Sequence, residues 1–200
     1  MKLVSTPRVE YLRTLATEIL SLNSRGRVIV AIDGADPAAR SSFGDDLAAV
    51  FEEAGTPAFR ASLHYFQHSR AELAVFGSDS PERWYRHGYN YSTLRRVLLE
   101  PFRLNGSTAF VTQDFDPDRD TWIEPTWTTA PPDAILVIDG EFINRRELRD
   151  GWNYSILLES ETSSAADFLY QKEDRPRPVA SAVIDLSRPD RPVRVFSDSC

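Results

Sequence analysis

The chain has 200 residues, of which 42% are hydrophobic and 26% are charged, and its formal net charge is −7. Length and composition predict one soluble globular domain, the net charge argues against a general nucleic-acid binder, and no apolar run approaches the roughly 20 residues that span a bilayer. The only cysteine, Cys200, excludes an intramolecular disulfide. Because the N-terminus lacks the apolar segment of a signal peptide, we expect a cytoplasmic protein without a membrane partner.

The first quarter of the chain predicts a helix, a buried strand and a second helix. Apolar residues recur at three- and four-residue steps from Val9 to Leu22, as on one face of a helix. The run Arg27–Asp33 is apolar between its ends and rich in β-branched residues, as in a strand buried on both faces. A second helical face, ending before Gly55, carries Phe43, Leu47, Val50 and Phe51.

The rest of the chain alternates between predicted strands and helices. The strands are predicted at Ala58–Leu63, Ser107–Thr112, Asp133–Asp139, Tyr154–Glu159, Val179–Leu186 and Val193–Phe196. Helices are predicted at Tyr91–Arg103 and Arg145–Asp150, and a hairpin flanked by Trp122 and Trp127 after residues 114–118. This alternation predicts a three-layer α/β fold, with a mostly parallel sheet covered by helices on both faces.

The loop after the first predicted strand is the candidate ligand site, because parallel sheets bind ligands at the carboxyl ends of their strands. It reads Gly34-Ala35-Asp36-Pro37-Ala38-Ala39-Arg40-Ser41-Ser42. The phosphate-binding pattern is G-x-x-x-x-G-K-S/T. Gly34 and Ser41 match it, whereas Ala39 and Arg40 replace the second glycine and the lysine. Taken alone, the motif fits an ordinary strand-to-helix turn equally well.

Segments along the chain resemble, in the same order, the uridine kinase family of P-loop kinases over about residues 26–196. The matching segments are Val30–Gly34, Arg60–Ser62, Ser80–Arg86, Tyr91–Arg96, Leu99–Pro101, Phe115–Asp116, Ala134–Phe142, Arg146–Asp150 and Val183–Asp185. The resemblance implies a P-loop NTPase-like fold in one kinase-like domain, with an N-terminal helix at 1–25 and a nucleoside-kinase-like core at 26–196. It also implies transfer of the γ-phosphate of ATP to the 5′-hydroxyl of a nucleoside.

The same resemblance implies roles for individual residues. The ATP phosphates would meet Gly34, Asp36, Arg40, Ser41 and Ser42. Mg²⁺ would be supported by Ser41 and Asp139, and Asp33 is a further candidate for that role. The catalytic residues would be Arg40 and His64, where His64 stands at the position of an aspartate in relatives. The nucleoside would be bound by Tyr65, Arg86, Tyr89, Tyr91 and Phe115.

The phosphate loop departs from the family pattern at three positions. Pro37 has no N–H and fixes φ near about −65°, and Ala39 adds a Cβ where a phosphate would approach. Arg40 keeps a positive charge, but its planar fork does not replace a compact ammonium in a tight loop. These changes predict a degenerate Walker A motif.

Acidic groups and the lid of the family are missing as well. Histidine or asparagine stands where relatives carry an acid, at His64, His87 and Asn90. After Tyr154–Glu159, relatives continue into an arginine-bearing lid, whereas this chain passes within a few residues to its final elements. The nearest basic residues there, Arg175 and Arg177, are each followed by proline and are expected in a solvated loop.

Three interpretations follow. The first is a uridine kinase-like protein with weak or lost kinase activity and a binding or regulatory role, which binds a nucleoside, a nucleotide or a phosphate-type anion. The second is an active nucleoside kinase that uses Arg40 and His64, with ATP and Mg²⁺ as cofactors; the first interpretation needs none. The third is an interaction module or homodimer whose aromatic surface includes Trp84, Tyr85, Tyr89, Tyr91, Trp122 and Trp127.

Overall fold

The computed structural model describes residues 2–23, 25–104, 106–159 and 164–196. Cys200 and part of the short connection after Glu159 lie outside the described residues. Within the described ranges, no helix combines the length and the apolar character needed to cross a membrane.

The strands of the described residues are β1 (Val28–Asp33), β2 (Ala58–Ser62), β3 (Phe115–Asp116), β4 (Thr121–Trp122), β5 (Ile135–Asp139), β6 (Tyr154–Glu159), β7 (Ala182–Asp185) and β8 (Val193–Val195). Six of them form one sheet in the order β2-β5-β1-β6-β7-β8. All neighbours in this sheet run parallel except β8, which is antiparallel to β7. The predicted mostly parallel sheet is therefore confirmed.

The helices of the same ranges are α1 (Pro7–Leu22), α2 (Pro37–Glu53), α3 (Arg70–Ala74), α4 (Pro81–His87), α5 (Tyr91–Leu94), α6 (Glu100–Arg103) and α7 (Ala165–Glu173). Short helical turns occur at Leu63–Phe66, Arg149–Gly151 and Arg177–Val179, and a π-helical segment, Arg95–Leu99, joins α5 to α6. The predicted helix over Tyr91–Arg103 is thus confirmed as a continuous helical stretch.

Alternate residues of β1 face opposite layers of helices, because side chains alternate along a strand. Val28 and Val30 pack in a core shared with α1 and α2. Ile29 and Ala31 pack in a second core shared with α4, α5, α6 and α7. The sheet is covered on both faces, as the sequence predicted, and an ion pair of 2.7 Å between Arg13 and Glu53 ties α1 to α2.

The strand predicted at Ser107–Thr112 is wrong. Pro101 has no N–H to give to the carbonyl of Val97, four residues earlier in the helix. The N–H of Val111 bonds that carbonyl instead, at 2.9 Å, and Phe110 forms an isolated bridge with Thr128. The backbone of this segment therefore finds its partners in a helix and a loop rather than in the sheet.

The helix predicted at Arg145–Asp150 is also wrong. This segment forms successive tight turns that end in the short helical turn Arg149–Gly151. The arginine side chains of this segment donate to backbone carbonyl groups: Arg145 to that of Tyr85 at 2.7 Å, and Arg149 to that of Asn144 at 2.7 Å. Conversely, α4 and α7 were not predicted as helices.

Candidate functional site

The candidate site lies at the carboxyl ends of β1, β2, β5 and β6. The register of the sheet aligns Asp139 with Ile32 on one side and with Ser62 on the other. The loop that begins at Gly34 and the turn that contains His64 therefore follow neighbouring strands at the same edge. No hydrogen bond joins Arg40 to His64 within the described ranges.

The loop after β1 leads directly into α2, and Asp36 caps that helix. Pro37 is the first helical residue and has no N–H. The Asp36 carboxylate accepts from the N–H groups of Ala38 at 2.9 Å and Ala39 at 3.2 Å, and its carbonyl accepts from the N–H of Arg40 at 3.1 Å. Each first-turn N–H of α2 thus has a partner within its own chain.

Arg40 folds back onto its own loop. Its guanidinium donates to the carbonyl of Gly34, and the side chain is buried. Its Nε is buried without a hydrogen-bond partner among the described residues. Ser41 and Ser42 are exposed next to it, and the Ser42 hydroxyl accepts from Arg8 at 3.3 Å.

Asp33, the last residue of β1, is buried beneath the loop. Its carboxylate accepts from the hydroxyl of Tyr170 and from the N–H groups of Gly34 and Asn144. Burial raises the pKa of Asp33 to about 6, against the lowering effect of these hydrogen bonds. The pKa of the Tyr170 hydroxyl is also raised well above its usual value, mainly by burial, so this hydroxyl keeps its proton and donates.

Asp139, the candidate metal residue, is partnered by Arg60 and Ser62. Arg60 donates to one carboxylate oxygen at 2.9 Å, and the Ser62 hydroxyl donates to the other at 3.1 Å. Arg60 also reaches the carbonyl of Ser41 at 3.4 Å and pairs with Asp45 at 2.8 Å. Arg60 therefore places a guanidinium between the two residues that were predicted to support Mg²⁺. Across the described ranges, no group of three or more acidic, histidine or cysteine side chains is arranged to hold a metal ion.

Two of the predicted nucleoside residues, Tyr89 and Tyr91, lie together near β5. Their rings stack with centroids 6.1 Å apart, and Tyr91 accepts from Arg145 at 3.2 Å. Tyr89 donates to the carboxylate of Glu141 at 2.8 Å, and burial, followed by the charge of Glu141, raises the pKa of Tyr89 well above its usual value. An isolated bridge between Tyr89 and Gln67 brings this pair beside the turn that contains Tyr65.

The other predicted residues are more dispersed. His64 is exposed and lies 3.3 Å from the amide of Gln67. Arg86 pairs with Glu82 and with Glu173 on the outer side of α4. Phe115 is buried in the β3–β4 hairpin, where its ring meets that of Trp122 edge to face at 5.2 Å.

Residues to which the sequence analysis gave no role in a ligand site hold the others in place. They are Arg60, Trp84, Glu141, Asn144 and Tyr170. Arg60 and Glu141 lie inside segments that match the uridine kinase pattern, but no motif assigns them a role. The available signal for Glu141 is its position, two residues after the end of a buried strand, where ligands of parallel sheets are bound.

Two cavities flank Gly34, and acidic side chains outnumber basic ones in both. The first has a volume of about 460 Å³, and its charged lining residues are Arg8, Asp36 and Glu159. Apolar residues, including Leu158 and Leu186, complete its lining. The second, about 430 Å³, is lined by Arg177 against Asp33, Glu159 and Asp167. Arg177 also forms an ion pair with Glu159. The charge around this loop is therefore unfavourable for a polyanion.

Comparison with known proteins finds similarity in structure only. No family model and no curated protein matches the sequence. A possible uridine kinase from Bacillus stearothermophilus aligns with a TM-score of 0.74 at 19% identity, over 88% of this chain and 96% of that one. A protein from Silicibacter sp. that is assigned as a fructose transport system kinase aligns with a TM-score of 0.61 at 19% identity, over 85% and 92% of the two chains.

A third solved structure, D-glycerate 3-kinase from Cryptococcus neoformans var. grubii, aligns with a TM-score of 0.51 at 12% identity, over 84% of this chain and 78% of that one. At these identities the likeness concerns the fold. The chain has a uridine kinase-like P-loop kinase fold.

Proposed function

We propose that this protein is a uridine kinase-like binding or regulatory module with weak or absent phosphotransfer activity. The observation that carries the proposal is the occupation of the α2 N-terminus by Asp36. A nucleotide phosphate would need the N–H groups of Ala38 and Ala39, and these already bond a carboxylate of the same chain. Binding ATP there would require the release of those bonds and the approach of a polyanion to Asp36.

The cations at this end support the same proposal. Arg40 is engaged by Gly34, and Arg60 is engaged by Asp139. As arranged, these residues do not fit a magnesium–triphosphate. Asp139 already faces the guanidinium of Arg60, and Arg40, which replaces the lysine of the motif, is bonded to the carbonyl of Gly34. The buried Nε of Arg40 lacks an acceptor among the described residues, so this guanidinium has one donor that the carbonyl of Gly34 does not use.

The chain beyond the end of β5 retains groups that can bind a small hydroxylated compound. Tyr91 and Glu141 are half-buried there, and the buried Tyr89 stacks on the ring of Tyr91 and donates to the Glu141 carboxylate. The three structural neighbours are named for uridine, fructose and glycerate. Because the uridine kinase-like structure has the highest of the three TM-scores, a nucleoside is the ligand class that we place first.

Thermal unfolding with a ligand panel tests this function. We expect uridine, cytidine or adenosine at millimolar concentration to raise the melting temperature, because a ligand that binds only the folded state stabilises it. We expect ATP to have no effect, with Mg²⁺ or with a chelator. Submillimolar affinity for ATP together with magnesium-dependent turnover of any nucleoside would overturn the proposal.

An active kinase with a rearranged site is the second candidate, and the exposure of His64 at the strand edge favours it. This candidate requires Arg40 to leave the carbonyl of Gly34 and to bind phosphate. It predicts that Arg40→Ala and His64→Ala each abolish turnover in the same assay. Turnover that survives both substitutions excludes this mechanism.

A further inference from the structure

Glu141 lies at the edge of the sheet, two residues beyond the end of β5. The chain can turn there because Gly140 packs against Leu63: a Cβ on Gly140 would come within 2.5 Å of the Cβ of Leu63. Since Leu63 immediately precedes His64, this contact places the carboxylate-bearing turn next to the turn that follows β2. Glu141 and His64 therefore each directly follow one of two residues that are in contact.

The carboxylate of Glu141 is fixed by two donors on one of its oxygens. The indole N–H of Trp84 donates to Oε1 at 2.6 Å, and the hydroxyl of Tyr89 donates to the same atom at 2.8 Å. Hydrogen bonds to an ionised group are the stronger kind, and two of them from different directions restrict the rotation of the carboxylate. The side chain is thus held in one orientation before any ligand arrives.

The second oxygen, Oε2, is available. Within the described ranges it accepts no hydrogen bond, Glu141 takes part in no ion pair, and Oε2 is not among the buried atoms that lack a partner. The arginine that reaches Tyr91, Arg145, is committed to Glu147 and to the carbonyl of Tyr85. A carboxylate oxygen can only accept hydrogen bonds.

Two half-buried aromatic rings, those of Trp84 and Tyr91, lie near this acceptor, with the buried ring of Tyr89 in contact with both. The rings of Trp84 and Tyr89 are 5.3 Å apart, and Tyr89 stacks on Tyr91. An oriented acceptor beside aromatic faces suits a ligand that has an apolar face and hydroxyl groups on its edge. A phosphate or carboxylate group on the ligand would be repelled at this position.

We propose that Glu141 is a ligand-binding residue that accepts hydrogen bonds from the hydroxyl groups of an uncharged ligand and disfavours the phosphorylated form of that ligand. This proposal rests on the proposed function, because it names the class of compound that would bind beside Glu141. Glu141 would favour the binding of a neutral nucleoside, which can donate to Oε2, over that of a nucleotide, which brings further negative charge to the same edge.

The test measures calorimetric affinities for uridine, cytidine and adenosine, each compared with its 5′-monophosphate. In Glu141→Gln, the amide oxygen can still accept from Trp84 and Tyr89, so the fold is expected to survive. We expect the affinity for the nucleoside to fall about tenfold, the size of a lost charged hydrogen bond. The ratio of monophosphate affinity to nucleoside affinity is expected to be higher in this variant than in the wild type. A merely structural role of Glu141 would not change this ratio.

Glu82→Gln is the matched control, since it removes one negative charge from α4 at a site that pairs with Arg86. Trp84→Phe keeps the Glu141 carboxylate but removes one of its two donors, and is expected to weaken nucleoside binding less than Glu141→Gln does. If a nucleoside binds and Glu141→Gln leaves its affinity unchanged, or if Glu82→Gln weakens it equally, the role of Glu141 is wrong and the proposed function stands. If no nucleoside binds the wild-type chain, both fail.

Discussion

The carboxyl edge of the sheet has two regions that use their polar groups differently. Around the loop after β1, the charged groups bond to one another or to the backbone: Asp36 to the start of α2, Arg40 to Gly34 and Arg60 to Asp139. Around the end of β5, Glu141 and His64 are partly or fully exposed, and Glu141 is engaged on one oxygen only.

The comparison teaches that the polar groups of one sheet edge can be engaged by internal partners to very different extents. In the loop region, internal partners satisfy the donors and charges that a nucleotide would otherwise meet, so these residues contribute to folding. In the β5 region, Trp84 and Tyr89 orient the Glu141 carboxylate through one oxygen and leave the other oxygen able to accept. Substitutions in the first region should therefore change mainly the free energy of unfolding, and substitutions in the second should change mainly ligand affinity.

The largest effect is expected for Arg60→Ala. Asp139 is buried, with 5% of its side chain exposed, and would be left without the cation that it faces. Removing one partner of a buried pair typically destabilises a protein by about 3–5 kcal/mol. The free energy of unfolding, measured by urea denaturation, should fall by that amount.

Arg83→Ala is the control for that measurement, because Arg83 pairs with Asp79, whose side chain is 93% exposed. Exposed pairs contribute about 0–1 kcal/mol. A loss in Arg60→Ala no larger than in Arg83→Ala would mean that Asp139 does not depend on Arg60, and the loop region would then be available for a metal after all.

A second effect concerns the pH dependence of stability and the buried Asp33. Its pKa is raised from 3.8 to about 6 in the folded state, so the folded chain holds this proton more tightly than the unfolded chain. The stabilisation by this group is present below about pH 4 and is lost as pH rises through about 6. The shift of about two pKa units corresponds to about 3 kcal/mol.

Asp33→Asn removes this titration but has one side-chain oxygen instead of two, so it keeps an acceptor for either the Gly34 N–H, which bonds Oδ1, or the Asn144 N–H, which bonds Oδ2. The loss of the other bond lowers the stability of the variant by an amount that does not vary with pH. Between pH 4 and pH 7, the unfolding free energy of the variant should therefore rise relative to that of the wild type by up to about 3 kcal/mol. Carboxylates common to both proteins cancel in this difference. A difference that stays constant over the range would show that Asp33 is not held protonated by burial.

The sheet could be predicted from the sequence because its central strands are continuous apolar runs. Strands β1 and β6 are recognisable as such, and Tyr154–Glu159 has the predicted bounds. The strand predicted at Ser107–Thr112 failed because its backbone partner is a carbonyl that Pro101 leaves free in the helical stretch just before it. A pattern of apolar residues contains no information about that partner.

The site was less predictable, since its geometry depends on contacts between residues far apart in sequence. Arg60 and Asp139 are joined across two strands, and Trp84 meets Glu141 from a helix that was not predicted. Asp36 is the exception. Aspartate followed by proline is a typical start of a helix, so its capping role could have been derived from the sequence.

The smallest expected effect, and the most direct comparison of folding with binding, is at that cap. Asp36→Ala should lower the free energy of unfolding by about 1 kcal/mol, whereas Asp36→Asn, which can still cap α2, should change it by only a few tenths. The alanine variant also frees the N–H groups of Ala38 and Ala39 and removes a negative charge beside Arg40. Inorganic phosphate should therefore raise the melting temperature of Asp36→Ala but not that of the wild type or of Asp36→Asn. Equal protection of all three proteins by phosphate would mean that the anion binds elsewhere, and that Asp36 does not stand in for a ligand at this loop.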